Sequence, residues 1–252
     1  MIRKTQPGPR AAQSGGAVKK LFGATLGALA IAAPAQAAVI TFDDAFGMVG
    51  GTEYWQEAGF DIGFFANVPG GGEGNLVGSF IDGTDRTACV EMACPVGHDS
   101  TYYASLNDSY IDITASTTGQ RFKIKSFDAS FIGANPALGT YPAIAGLLRV
   151  QGIRANGTSL IQDFLLNGPS PAGFTFGRYN SPTAFANTEF VEALVFGFVC
   201  DTGGSCRAFS TNQGQFGIDN LELVQVPEPG TTLIIGAGLL GLIASARRRK
   251  TA

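Results

Sequence analysis

Short runs in which apolar and polar residues alternate, separated by turn residues, cover residues 38–226. Runs such as 110–114 and 121–127 place every second side chain on one face, which is the pattern of a half-buried β-strand. Asn156-Gly157 between two apolar runs is a strong signal for a β-hairpin. No long stretch has the period of a helix. This pattern restricts the region to an all-β fold, and the uneven connections predict a jelly-roll-like β-sandwich rather than an up-and-down barrel.

The pattern divides the region into strands and loops. Strands are predicted at 39–42, 59–64, 76–81, 110–114, 121–127, 146–153, 159–166, 185–190, 193–200, 206–210 and 215–224. The Gly-rich stretch 67–75 and the stretch 82–99 are predicted to be loops, because they lack alternation and are rich in turn residues.

The N-terminus has the features of a secretory signal. Lys19 and Lys20 precede an apolar run at 21–33, and small residues at Ala35 and Ala37 fit the positions that signal peptidase reads. We therefore predict a signal helix within a signal peptide at 1–37, with cleavage between Ala37 and Ala38. An uncleaved anchor is the alternative, although the apolar run is short and ends at a proline.

The C-terminus has three parts in a fixed order. Pro227, Glu228 and Pro229 are followed by an uncharged apolar run at 231–246 and a basic Arg-Arg-Arg-Lys end at 247–250. Sixteen residues of helix would be roughly 24 Å long, slightly short of a hydrocarbon core of about 30 Å. The run therefore predicts a short transmembrane helix, and its basic end places it on the cytoplasmic side with everything before position 227 outside.

This tail resembles a PEP-CTERM sorting signal, and its alternative is an ordinary single-pass anchor. The 215–219 run fits a QFxxD pattern found just upstream of such signals, and the 40–44 run is similar to the first strand of such proteins. The resemblance implies recognition by exosortase, a membrane transpeptidase-like enzyme of Gram-negative bacteria, with processing at Pro227, Glu228 and Pro229. It implies an exported β-sandwich at 38–225, a sorting signal at 226–252, transient anchoring in the inner membrane, and delivery to the cell surface or exopolysaccharide matrix. It implies no particular activity.

Charge is distributed unevenly along the chain. The whole chain has a formal net charge of −3, whereas residues 38–226 contain eight basic and 19 acidic residues and thus carry −11. A field of this sign disfavours nucleic acid and anionic lipid as partners, and it favours cations.

The four cysteines form two close pairs, Cys89/Cys94 and Cys200/Cys206. An exported chain meets an oxidising compartment, so we predict disulfides. Three connectivities are possible, and local pairing is favoured because each pair brackets a turn. A metal site, with His98 as a further ligand, is the alternative, but the spacings do not match a zinc set.

A calcium ion could join the first and last strands. In jelly-roll carbohydrate-binding modules these strands often lie side by side, and here they carry Asp43, Asp44, Asp219 and Asn220. Carboxylate and amide oxygens suit Ca²⁺. The alternative is that these residues cap turns.

Aromatic side chains provide a second candidate ligand site. Tyr54 and Trp55, with Tyr102, Tyr103 and Tyr141, could stack on sugar rings. The alternative is that these rings fill the core.

No catalytic residues are predicted. His98 is the only histidine and stands beside Asp99 in a polar loop, so we expect it at the surface. There is no Gly-x-Ser-x-Gly motif. We therefore expect a non-enzymatic sorted surface or matrix protein with a structural or interaction role. A displayed glycan-binding module is the first alternative, and an exported glycan hydrolase with two facing carboxylates is the second.

Overall fold

The computed structural model describes residues 37–85, 87–89, 92–134 and 140–227. In them, two antiparallel seven-stranded sheets form a sandwich, and two further short strands pair with each other. Helical structure in these residues is short and includes a four-residue helix at Thr183–Ala186 and a 3-10 turn at Pro69–Gly72. The all-β sandwich is confirmed, and its jelly-roll assignment stays a prediction.

The order of strands within each sheet differs strongly from their order in the chain. In space, the first sheet consists of β13 (Gly177–Asn180), β9 (Arg121–Phe131), β16 (Phe216–Val226), β7 (Thr101–Ser105), β5 (Leu76–Asp82) and β2 (Gly47–Gly50), with β1 (Ala37–Ile40) also paired to β16. The second consists of β12 (Ser159–Asn167), β11 (Ile144–Ile153), β14 (Glu192–Cys200), β8 (Tyr110–Ala115), β4 (Phe60–Phe65) and β3 (Glu53–Glu57), with β15 (Cys206–Arg207) paired to β14. The small pair is β6 (Met92–Ala93) and β10 (Gly133–Ala134).

The core between the two sheets is rich in phenylalanine. Eleven of the phenylalanines that the structure describes are buried, at positions 42, 60, 64, 122, 127, 131, 164, 174, 185, 190 and 216. Glycines on the inner face of β11 make room for these rings. A methyl group added at Gly152 would lie 2.3 Å from the Phe190 ring, and one at Gly146 would lie 2.4 Å from the Phe131 ring. The small residues are therefore part of the packing.

The first and last strands lie side by side, as the calcium hypothesis requires. Ala38 is opposite Leu223 and Ile40 is opposite Leu221 in an antiparallel ladder. Because β1 begins at Ala37, cleavage before Ala38 would keep three of its four paired positions. The cleavage itself stays a prediction, since the 21–33 run and the rest of the signal peptide lie outside the described residues.

Two strand predictions need correction. The 185–190 stretch is not a strand, because helix α1 (Thr183–Ala186) and a turn bring Phe185 and Phe190 into the core with ring centroids 5.0 Å apart. The 206–210 strand ends at Arg207. Alternation also missed β7, which is buried along nearly its whole length and therefore lacks a polar face.

Both local disulfides are present, Cys89–Cys94 and Cys200–Cys206, so the predicted pairing is confirmed. The first lies in the loop between β5 and β7. Its sulfur atoms join a second apolar cluster with Tyr102, Ala104 and Ile132 on the outer face of the first sheet. The loop predicted at 82–99 therefore covers part of that face.

Candidate functional site

A row of side chains crosses the outer face of the second sheet. From β4 to β12, directly opposed residues in this row are Phe65, Tyr110, Phe196, Arg149 and Asp163. Their neighbours along the strands point the other way and belong to the core, as alternation in a strand requires. We call this surface the aromatic face, and its rings are Tyr54, Phe65, Tyr110, Phe196 and Phe198.

The rings of the aromatic face contact one another. Phe65 stacks on Tyr110 at 5.5 Å, and Phe196 stacks on Phe198 at 5.7 Å, measured between ring centroids. Tyr54 meets the edge of Phe65 at 5.7 Å and is 62% exposed. Gly63 lies opposite Tyr54, and a Cβ there would lie 2.8 Å from the Tyr54 ring. The missing side chain at this glycine lets the rings converge.

Arg149 is held rigidly on the same face. Its guanidinium donates two hydrogen bonds to the Asp163 carboxylate, at 2.7 and 2.8 Å. Its Cζ atom lies 4.8 Å from the centroid of the Phe198 ring, within cation–π distance. Paired charge and stacking together fix the plane of this side chain.

A buried polar group lies beside the rings. Asp112 is opposite Gly63 and Leu194, and its Oδ1 atom is buried without a hydrogen bond to any residue that the structure describes. Burial raises the pKa of Asp112 to about 6, and the negative charge of Glu192 contributes. A carboxyl group in this position can accept or donate a hydrogen bond to an incoming hydroxyl group.

The aromatic residues predicted to bind sugar differ in their exposure. Tyr54 lies on the aromatic face, but Trp55 lies on the other side of β3, opposite the buried Ile62. Its Nε1 atom donates to Glu57 at 3.0 Å, so its ring packs against the core. Tyr102 and Tyr103 are fully buried, and Tyr141 is partly buried against the rings at 131 and 174.

Sequence reasoning missed most of the aromatic face. Alternation within the 193–200 strand does put Phe196 and Phe198 on one side, and this signal was available. Their neighbours Phe65 and Tyr110 come from strands that are more than 80 residues away in the chain. Only the sheet order brings these four rings together.

The proposed calcium ligands are not gathered at one point. Asp43 and Asp44 are exposed in the turn after β1, whereas Asp219 is fully buried. Asn220 donates from Nδ2 to Asp128 at 2.8 Å. Among the described residues, no group of three or more histidine, cysteine, aspartate or glutamate side chains is placed to hold a metal ion. Calcium binding stays a prediction from the sequence.

His98 is buried, so its expected place at the surface is wrong. Its ring stacks on Phe176 with centroids 4.3 Å apart, and Nε2 lies 2.6 Å from Oδ2 of Asp219. Ser100 donates to the same Oδ2 atom at 2.8 Å, and burial raises the pKa of Asp219. In a hydrolytic triad the carboxylate and the serine contact different ring nitrogens, but here both approach Nε2. The contacts of His98 and Ser100 with Asp219 therefore connect the loop that contains the Cys89–Cys94 disulfide to strand β16.

The family model of the PEP-CTERM protein-sorting motif matches residues 225–250. The match begins within β16, and it includes the Pro-Glu-Pro triplet. Of that triplet, Glu228 and Pro229 lie outside the described residues, as does the 231–246 run. No helix in the described part of the chain is long and apolar enough to cross a bilayer. The motif indicates an exported protein with C-terminal sorting.

Solved structures of low sequence identity resemble the sandwich, and none of the curated proteins matches the chain significantly. A DUF4465 family protein from Bacteroides ovatus is 7% identical, with a TM-score of 0.39 over 76% of this chain and 100% of that one. TmCBM61 in complex with beta-1,4-galactotriose is 7% identical, with a TM-score of 0.32 over 74% and 94%. Arabinose-bound MgGH51 α-L-arabinofuranosidase is 13% identical, with a TM-score of 0.35 over 75% of this chain and 26% of that one, so this chain spans about a quarter of that enzyme.

Proposed function

Because this chain carries a PEP-CTERM protein-sorting motif, we propose that exosortase directs it to the cell surface or the exopolysaccharide matrix, where its aromatic face binds a neutral glycan. The exported part is a binding protein rather than an enzyme in this proposal. The observation that supports glycan binding is the row of partly exposed rings that crosses adjacent strands of the second sheet.

The chemistry of the aromatic face matches a sugar chain. A pyranose has flat C–H faces that stack on aromatic rings, and its rim carries hydroxyl groups that need hydrogen bonds. Rings at Phe65 and Phe196 lie beside polar groups at Asp112 and Gln151 that make no side-chain hydrogen bonds within the described residues. A purely apolar partner would cover the partly exposed side chains of Asp112 and Gln151 without offering them hydrogen bonds.

The charge of the domain selects among glycans. Residues 38–226 carry a net charge of −11, and carboxylates at Asp112 and Glu192 lie on the aromatic face itself. Arg149 is already paired with Asp163 and is not free to neutralise an acidic sugar. A uronate-rich polymer would be repelled, so the face fits a neutral polysaccharide.

Binding can be tested with Phe196→Ala in the full-length chain. We expect affinity for a neutral polysaccharide to fall about 5- to 30-fold, which corresponds to about 1–2 kcal/mol of lost stacking. Calorimetry or affinity electrophoresis against neutral and anionic polysaccharides would measure it. Phe46→Ala is the matched control, because Phe46 is 90% exposed and lies away from this face. Equal losses in both variants, or binding only to anionic polymers, would contradict the proposal.

Sorting requires a separate experiment in the producing strain. We expect a strain without exosortase to accumulate the unprocessed chain in its inner membrane. Unchanged processing at the Pro-Glu-Pro triplet would refute this part of the proposal. Changing Glu228→Ala in the normal strain should give the same accumulation, and binding by the purified protein should remain.

A further inference from the structure

An open pocket of about 450 Å³ lies at one end of the aromatic face. Its volume is within the range of small-molecule sites, about 300–1,000 Å³. The lining residues that matter chemically are Asn67, Asn75, Asn107, Asp108, Phe209 and Asn212. We call this cavity the amide pocket, because four of these six side chains are carboxamides.

The amides are available to a ligand. The side chains of Asn67, Asn75 and Asn212 make no hydrogen bonds within the described residues, and Asn107 uses only its Nδ2 atom, which donates to Leu76 O at 3.0 Å. Each amide offers both donors and an acceptor without net charge. Sugar hydroxyls also donate and accept, so this lining suits a neutral polyhydroxylated ligand.

The carboxylate of the pocket already accepts hydrogen bonds from backbone N–H groups. Asp108 is 4% exposed, and its carboxylate accepts hydrogen bonds from the N–H groups of Thr211, Asn212 and Gly214 at 2.6–3.1 Å. The carboxylate therefore fixes the wall formed by 209–214. Because none of the described residues that line the pocket is a lysine or an arginine, an anionic ligand would have no cationic partner among them.

Backbone strain is concentrated at the same place. Of the eight non-glycine residues with positive φ in the described chain, four line the pocket, namely Asn107, Asp108, Phe209 and Asn212, at φ of 51–57°. Asparagine and aspartate tolerate this conformation, but a bulky aromatic residue rarely adopts it. Strain of this kind clusters at ligand sites that the surrounding structure holds in place.

The pocket continues the aromatic face. The Phe209 ring lies 4.9 Å from the Phe196 ring, with the two planes tilted by 33°. Ala66, which also lines the pocket, directly follows Phe65 at the end of β4. A chain lying across the rings would therefore reach the pocket with its next unit. Resting on the function proposed above, we infer that the amide pocket binds the terminal unit of a neutral glycan whose following units lie on the aromatic face.

Chain length separates this inference from simple binding along the face. The probes are neutral gluco-, galacto- and manno-oligosaccharides of two to six units, titrated into the full-length protein by calorimetry. We expect Asn75→Ala to weaken binding of the dimer and the hexamer by a similar factor of about 5–10, because each would place a single terminal unit in the pocket. Phe196→Ala should weaken the hexamer much more than the dimer.

Asn180→Ala is the matched control, since Asn180 is an exposed amide on β13 in the other sheet. NMR of side-chain amides should show shifts at Asn67, Asn75 and Asn212 when the dimer is added. If Phe196→Ala weakens the hexamer while Asn75→Ala and these amide signals are unaffected, the pocket inference is wrong and glycan binding stands. If no neutral probe binds, both fail.

Discussion

Replacing Asp112 by asparagine should stabilise the protein at neutral pH and leave its stability at pH 4 nearly unchanged. Asp112 lies in the middle of β8, with one oxygen buried and without a hydrogen-bond partner in the part of the chain that the structure describes. Burial first, and the charge of Glu192 second, raise the pKa of Asp112 from 3.8 to about 6. Asparagine has nearly the same shape and never ionises.

The direction follows from proton binding. Between about pH 4 and pH 6 the folded protein holds a proton on Asp112 that the unfolded chain has lost. Folding stability therefore decreases as pH rises through this window, and the penalty persists at higher pH. The variant lacks this penalty, so its advantage should develop over the same interval and then stay constant.

The size of the effect can be bounded. The pKa difference corresponds to about 3 kcal/mol at about 1.36 kcal/mol per pH unit. Solvent still reaches part of the carboxylate, so screening reduces this to about 1–1.5 kcal/mol. For a domain of this size, that is about 2–6 °C in melting temperature.

Melting curves of wild type and Asp112→Asn from pH 4 to pH 8 provide the measurement. Other carboxylates titrate in both proteins, so the difference curve isolates this one. Asp44→Asn, at an exposed turn, is the matched control for removing a carboxylate charge from the surface. A pH-independent difference, or destabilisation of Asp112→Asn at pH 8, would refute the reasoning. A stabilised variant with weaker glycan binding would indicate that the carboxylate is retained for function.

Three further changes test how the sandwich is held together. Replacing Cys89 and Cys94 by serine should lower the free energy of unfolding by about 2 kcal/mol, because this disulfide closes only a short loop. Calorimetric melting with the second disulfide intact would measure the loss. His98→Ala removes one of the two side chains that contact the buried Asp219 carboxylate and leaves Ser100. We expect the free energy of unfolding, measured in urea at pH 7, to fall by about 2–4 kcal/mol. An unchanged urea midpoint would contradict a stabilising role for the contact between His98 and Asp219. Gly152→Ala should lower the free energy of unfolding by about 1–3 kcal/mol in the same assay, because the added methyl group would overlap the buried ring of Phe190. An unchanged stability would show that this ring can move aside.

The fold class was predictable because alternation is a local signal. Strand β8 alternates clearly and its prediction at 110–114 is confirmed to within one residue. Strand β9 begins where predicted, but it continues four residues beyond the predicted end at 127. Strand β7 is enclosed on both faces and gave no such signal. The 185–190 stretch was predicted as a strand because its composition is apolar, but a short helix also delivers Phe185 and Phe190 to the core.

The candidate site was less predictable, since its parts come from distant segments. Local pairing of the cysteines followed from their spacing and is confirmed. The partners of His98 did not follow, because Asp219 is 121 positions away. Adjacent aromatic residues were a poor guide to exposure, because neighbours in a strand face opposite ways, and Tyr54 is exposed while Trp55 packs inward.

The sequence by itself determined the sorting motif and the all-β fold class of this protein. Its tail carries a sorting motif that can be read as a linear pattern, and the two-residue period of 38–226 determines an all-β fold. The tertiary structure alone decided which rings share a surface and where the amide pocket opens. The reason is that strand order in a sandwich is set by packing of whole faces, so Phe65, Tyr110 and Phe196 become neighbours only when β4, β8 and β14 pair.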